Sequence, residues 1–309
     1  MKTNISNEEV IFETLEATGL NWTVKKQPLF TPEGIEAPGV YGAIRNDNNA
    51  YIGTVGDRYQ FVQNHELVNM AYSAGKEVFS TESDFQHPWN NSETLGSYGN
   101  LAGGSLRGGG LVFIQLLLPD AYVGKSDIKR YVTLTNSHDG SNALGFGTTN
   151  QVVCCQNTFN IANRELSKFR HTAGIQERID EAIVNIRKML LFEEQQMEVF
   201  DAASSRSFDK KHVQEMVLSV SGEQILKPDV STVTKNKVAT LADDMNRSID
   251  EQGETMWALF NGVTRYANHS TNTKDKEHSL LFGSDAEINQ RAFNTLMRWV
   301  NAPLELVEA

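Results

Sequence analysis

His138-Asp139-Gly140-Ser141 places a hydroxyl, an imidazole and a carboxylate side by side, the residue types that a nucleophile, its base and the base's orienter require. Catalytic triads usually assemble from distant segments, so adjacency along the chain is weak evidence for that geometry. The same residues also read as a hairpin turn. Asp-Gly between strand-like runs is a turn signal, and polar turn side chains satisfy backbone groups. Two roles therefore stay open: a turn, or a ligand contact through His138 and Ser141. A metal would need more ligands. The 7 histidines show no HxxxH or HxH spacing, and carboxylates are too common to be diagnostic, so neither a metal nor a cofactor is expected.

Other segments point to phosphate. Gly103-Gly-Ser-Leu-Arg-Gly-Gly-Gly110 could cradle it through backbone N–H groups, with Arg107 adding charge. The run lacks the Lys-Ser/Thr of a P-loop and the setting of a dinucleotide fingerprint; its other reading is a flexible hairpin tip. Lys125-Ser-Asp-Ile-Lys-Arg130 is the densest basic patch of the first half and lies beside Tyr122 and Tyr131. Arg58-Tyr59 follows a Gly-Asp turn. Cations beside rings are what single-strand binding uses, charge following the backbone and rings stacking on bases. The alternative is ordinary solvated loops. Asn157 reads as a helix cap that could also touch a ligand. The candidate nucleic-acid contacts are thus Arg58, Tyr59, Arg107, Lys125, Lys129, Arg130, His138 and Asn157. The 2 cysteines are adjacent, Cys154 and Cys155, which excludes a disulfide framework and a cysteine-rich zinc site.

Composition bounds these readings. A chain of 309 residues with 39% hydrophobic residues suits one large domain or two small ones. The longest apolar run, Leu111 to Leu118, has strand length, so no membrane span is expected. The first residues lack the apolar core of a signal peptide, and with so few cysteines a reducing bacterial cytoplasm is the expected setting. A net charge of -11 counts against a free-standing nucleic-acid coat but not against a local basic groove.

The elements that must position these residues change character midway. A short helix from Asn7 is stopped by Gly19. Strands are expected at 22–26, 40–45, 51–55, 76–81, 95–102, 110–118, 130–135 and 143–153, with Asn46-Asp-Asn-Asn49 as a tight turn and Asn64 capping a helix. A further helix is expected from Asn157 to about Phe169. From Ile175 the apolar spacing becomes helical. Helices follow at about 175–203, 209–220, 234–269 with a break near Gly253, and 285–301 capped by Ser284. This is an α+β chain, an antiparallel sheet with helices in residues 1–174 and a mostly helical region in 175–309. Ile179, Ile183, Ile186 and Leu190 form one apolar stripe; Trp257, Phe260 and Val263 form another. Apolar surface left over from them would make a homo-oligomer.

The run Asn136-Ser-His-Asp-Gly-Ser141, continuing to Val153-Cys-Cys-Gln-Asn-Thr-Phe159 and Ala162, resembles the 932 family of domains of unknown function, borne by phages and plasmids. Gly53 to Asn64, Trp257 to His269, Ser279 to Ser284 and Asn289 to Ala292 are similar to further motifs of that family, so the resemblance covers about residues 20 to 300. Arg265 departs from it, standing where an acidic residue is expected. The resemblance implies a mobile-element setting and no settled activity. The leading expectation is a protein binding single-stranded nucleic acid, in annealing, recombination or replication. The alternatives are a host-directed protein that blocks a defence system, and a hydrolase or nuclease working through His138 and Asp139.

Overall fold

The computed structural model describes residues 7–78, 96–152, 157–161, 168–172 and 179–300. Antiparallel strands fill the first part and helices the second, the α+β arrangement read from the sequence. The chain divides into two compact units: Met1–Leu118, Tyr131–Gly147 and Asn163–Met189 form the first, and Pro119–Arg130, Thr148–Ala162 and Leu190–Ala309 the second. No helix among the described residues is long and apolar enough to cross a membrane.

The first unit opens with α1 (Asn7–Ala17), followed by an antiparallel sheet of β1 (Val24–Phe30), β2 (Glu36–Arg45) and β3 (Tyr51–Gly56), in that order. Asparagine chemistry makes the β2–β3 turn. Asn48 Oδ1 accepts the Ala50 N–H, and Asn49 sits at φ 57°, a left-handed conformation that Asn tolerates. Helix α2 (Asn64–Val78) starts from Gln63. The Gln63 carbonyl accepts the Leu67 N–H, and Glu66 turns back to accept the Gln63 N–H.

A second antiparallel sheet contains β4 (Gly96–Tyr98), β5 (Leu101–Leu106), β6 (Leu111–Leu117) and β8 (Ser126–Ser137), each paired with the next. The apolar run of the sequence is β6, which is hydrogen-bonded to β5 and β8 and has six of its seven residues buried, as a continuous apolar strand should be. The short β7 (Ala121–Val123) folds back on the start of β8. Strands β10 (Asn157–Ile161) and β11 (Lys168–Phe169) pair with opposite ends of β9 (Leu144–Val152).

Helices build the second unit: the later part of α3 (Ile179–Ser204), then α4 (Lys210–Ser221), α5 (Thr232–Gln252), α6 (Met256–Arg265), α7 (Lys276–Phe282) and α8 (Ser284–Val300). Side chains fix their starts. Asp209 and His212 form a capping box for α4, and Ser231 caps α5. The break expected near Gly253 is present: Gly253, at φ 92°, ends α5, and Thr255 caps α6. Lys276 Nζ donates to the carbonyls of Ala267 and Thr271 and to Asp285 Oδ2, tying the π turn at Tyr266–Ser270 to the start of α8. Phe200 meets Trp257, Phe260 and Phe293 in the core.

Some sequence readings are corrected. Asn157 begins strand β10, not a helix, because pairing along Thr148–Val152 outweighs the local cap signal. Lys76 completes α2 instead of opening a strand. Gly103 and Gly104 lie inside β5, so the glycine-rich connection shrinks to residues 107–110. Asn64 stands in the first turn of α2, and its side chain points elsewhere. Trp257, Phe260 and Val263 are buried within the second unit and leave no apolar stripe for a subunit. Cys154 and Cys155 lie outside the described residues.

Candidate nucleic-acid interface

Strand β8 ends at Ser137, and the next residues make the turn that Asp-Gly announces. Gly140 takes φ 76°; Asp139 Oδ1 accepts the Ser141 N–H at 2.9 Å; Ser137 Oγ accepts the Asn142 N–H at 3.1 Å. His138 points inward and is 0% exposed. Its backbone N–H donates to Gly110 O, and its Nε2 lies 2.9 Å from Asn64 Oδ1. Asn64 Nδ2 donates to the carbonyls of Leu20 and Trp22, which leaves its oxygen facing the ring, so His138 Nε2 carries the proton. Burial, with smaller contributions from nearby charges, lowers the His138 pKa to about 3. A neutral, sealed imidazole hydrogen-bonded to an amide is a structural group. Asp139, bound to its own turn, does not orient it, and the geometry forms no triad.

The turn organises the surface around it. A Cβ on Gly53 of β3 would stand 2.7 Å from Asp139 Cβ, so glycine is what lets the turn lie against β3. On the other side, Gly110 gives Asp139 Oδ2 the same room. Tyr59, in the segment after β3, donates to Ser137 O at 2.6 Å and stacks on His171 with ring centroids 4.8 Å apart. Burial raises the Tyr59 phenol, keeping it a donor. His171 is pinned to Gln60 twice. Its Nδ1 donates to Gln60 O, and the Gln60 N–H donates to His171 O, each at 3.1 Å. Burial lowers the His171 pKa as well, so this ring is also neutral.

Gly56, Asp57, Arg58, Tyr59, His171 and Thr172 line an open cleft of about 770 Å³. Arg58 is exposed on its wall, and Lys26 Nζ donates to the Asp57 carbonyl. Across the Asp139 turn stands the exposed Arg107, in a left-handed conformation at φ 52°. That conformation is uncommon for a residue with a side chain. Arg45 anchors the glycine turn: it stacks over Trp22 at 4.1 Å, is held by both Asp47 oxygens, and donates to Gly108 O.

Four of the sequence candidates, Arg58, Tyr59, Arg107 and His138, thus meet around one turn of the first unit. Lys125, Lys129 and Arg130 belong to the second unit. There the β7–β8 hairpin exposes Lys125 at its tip, and Tyr122 is 73% exposed. Arg130 is engaged: its Nη1 lies 2.8 Å from Glu193 Oε2, and its Nε donates to Pro119 O. Glu193 is 0% exposed, and burial pushes its pKa up to about 7 against the pull of Arg130. The Asn157 side chain lies outside the described ones. The sequence reading missed Lys26, Arg45 and His171. His171 carries no local signal, since it reaches Tyr59 only through the tertiary fold.

Comparison with curated proteins and with solved structures finds no match in either. The model of one family, described as "Domain of unknown function (DUF932)", matches residues 90–291. That span holds the Arg107 turn, the 136–141 turn and His171, whereas Trp22, Arg45 and Arg58 to Asn64 precede it. With more than half of its length matched, the chain belongs to the DUF932 family.

Proposed function

We propose that this protein binds single-stranded nucleic acid, using the surface of the first unit around the 137–142 turn, in strand annealing during recombination or replication of a mobile element. The observation that carries the reading is the cleft that sets exposed Arg58 beside the stacked rings of Tyr59 and His171. A cation that follows phosphate beside an aromatic ring is the pairing single-strand sites use; of the two rings here, Tyr59 is half-buried and offers the accessible face, while His171 is buried. Arg107 across the turn supplies a second cation. The second unit, taken by itself, also exposes a basic-aromatic pair, Tyr122 and Lys125 of the β7–β8 hairpin. The acidity of the whole chain counts against this reading, but it leaves room for a local basic surface to attract phosphate. Fluorescence anisotropy with labelled single- and double-stranded oligonucleotides of one sequence tests it. Single strands should bind at least tenfold more tightly and lose affinity as salt rises. Equal weak binding of both forms, or none, overturns the proposal.

A further inference from the structure

Two exposed apolar patches of opposite charge stand on this chain, one in each unit. The first is the tip of the β1–β2 hairpin, which runs on past the end of β3: the β2–β3 pairing stops at Val40↔Gly56. Phe30 is 60% exposed there, Ile35 66% and Val40 38%, and Glu33 and Glu36 are exposed among them with no cation in the tip. The tip is ordered. The Thr31 N–H donates to Ile35 O at 2.8 Å, and the Gly34 N–H to Thr31 O at 2.9 Å. The second patch is the connector into α5. Leu226 is 70% exposed and Val233 65%, beside exposed Lys227, Lys235 and Lys237, which outnumber the exposed Glu223 and Asp229 of the same segment. No acidic residue occupies the first turn of α5, so the positive end of its dipole adds to the lysines.

We infer that the acidic hairpin tip of one copy docks on the basic connector and α5 start of a second copy. The occupant is another copy of this chain because both halves of a complementary contact lie on it, each open to solvent. Large apolar side chains exposed on an ordered tip mark an interaction surface. The acidic residues match the lysines and the helix dipole and would set its register. Two different patches give a head-to-tail contact, which propagates into a ring when the rotation closes and a filament when it does not. This inference stands apart from the nucleic-acid reading, since neither patch contains the cleft.

Size exclusion with light scattering tests it on the full chain without nucleic acid. The wild type should elute as a multiple of the chain mass at micromolar concentration. Glu33→Lys with Glu36→Lys should shift dissociation to at least tenfold higher concentration, and so should Lys235→Glu with Lys237→Glu. All four positions are exposed, so unchanged thermal melts will show that the variants fold. Combining the two pairs should restore the assembly. A wild type that stays at single-chain mass, or a combined variant no more associated than either pair alone, overturns the assignment. An assembly that survives Phe30→Asp with Ile35→Asp overturns it as well.

Discussion

The residue that draws most attention in the sequence, His138, is buried rather than reactive. Its partner Asn64 lies 74 positions away in sequence and also holds the carbonyls of Leu20 and Trp22. Removing the ring therefore strands a buried acceptor, at about 1–3 kcal/mol. His138→Ala should lower the denaturation midpoint while the folded fraction still binds oligonucleotide; full stability with binding abolished would restore the active-site reading. The buried titratable groups also predict a pH profile. The folded-state pKa of His138 is lowered, so its contribution is complete above the unfolded value of about 6.5 and is lost as pH falls toward 3. Glu193 works the other way. Its pKa is raised to about 7, so its contribution is complete below the unfolded value of about 4.3 and is lost as pH rises through 7. Glu193→Gln removes the opposing trend, and its urea midpoint should fall more steeply than the wild type between about pH 6.5 and 4.5. Parallel curves would show that Glu193 does not titrate in this window. The Asp-Gly turn was legible from residue types alone. The asparagine–histidine bond was not, because it joins segments that only the fold brings together.

At the scale of elements, legibility followed how local the cause was. The Asn-rich β2–β3 turn, the apolar β6 run and the Gly253 break are encoded within a few residues and were read from the sequence. Strand β10 was misread because its identity depends on pairing with β9, a tertiary contact that overrides a cap signal. The glycine run was half misread for the same reason, since Gly103 and Gly104 join β5 by facing Ile114 and Phe113. Close packing of α5 on α6 rests on another glycine that the sequence does not flag. A Cβ on Gly262 would stand 2.4 Å from Met245 Cα. Gly262→Ala should force the two helices apart at a cost of about 1–3 kcal/mol, seen in thermal melting, and should leave oligonucleotide affinity unchanged. A Gly262→Ala protein that melts with the wild type would show that these helices do not pack as described.

For the whole molecule, fold class and family were more legible in the residues than a site was. The α+β order follows from hydrophobic period, and the DUF932 membership from segments spread along the chain. The proposed interface was only half visible. Arg58, Tyr59 and Arg107 could be picked by type, but their meeting around the 137–142 turn depends on Gly53, Gly110 and His171, whose roles exist only once strands are paired. The central claim is that this surface carries phosphate contacts. It is tested most directly by the salt dependence of single-strand affinity in Arg58→Ala with Arg107→Ala. Each lost phosphate contact flattens the plot of log affinity against log salt by about 0.7. The double variant should bind more weakly at low salt and show a slope shallower by about 1.4, with an unchanged melting temperature. A folded double variant whose affinity and slope match the wild type would contradict the account.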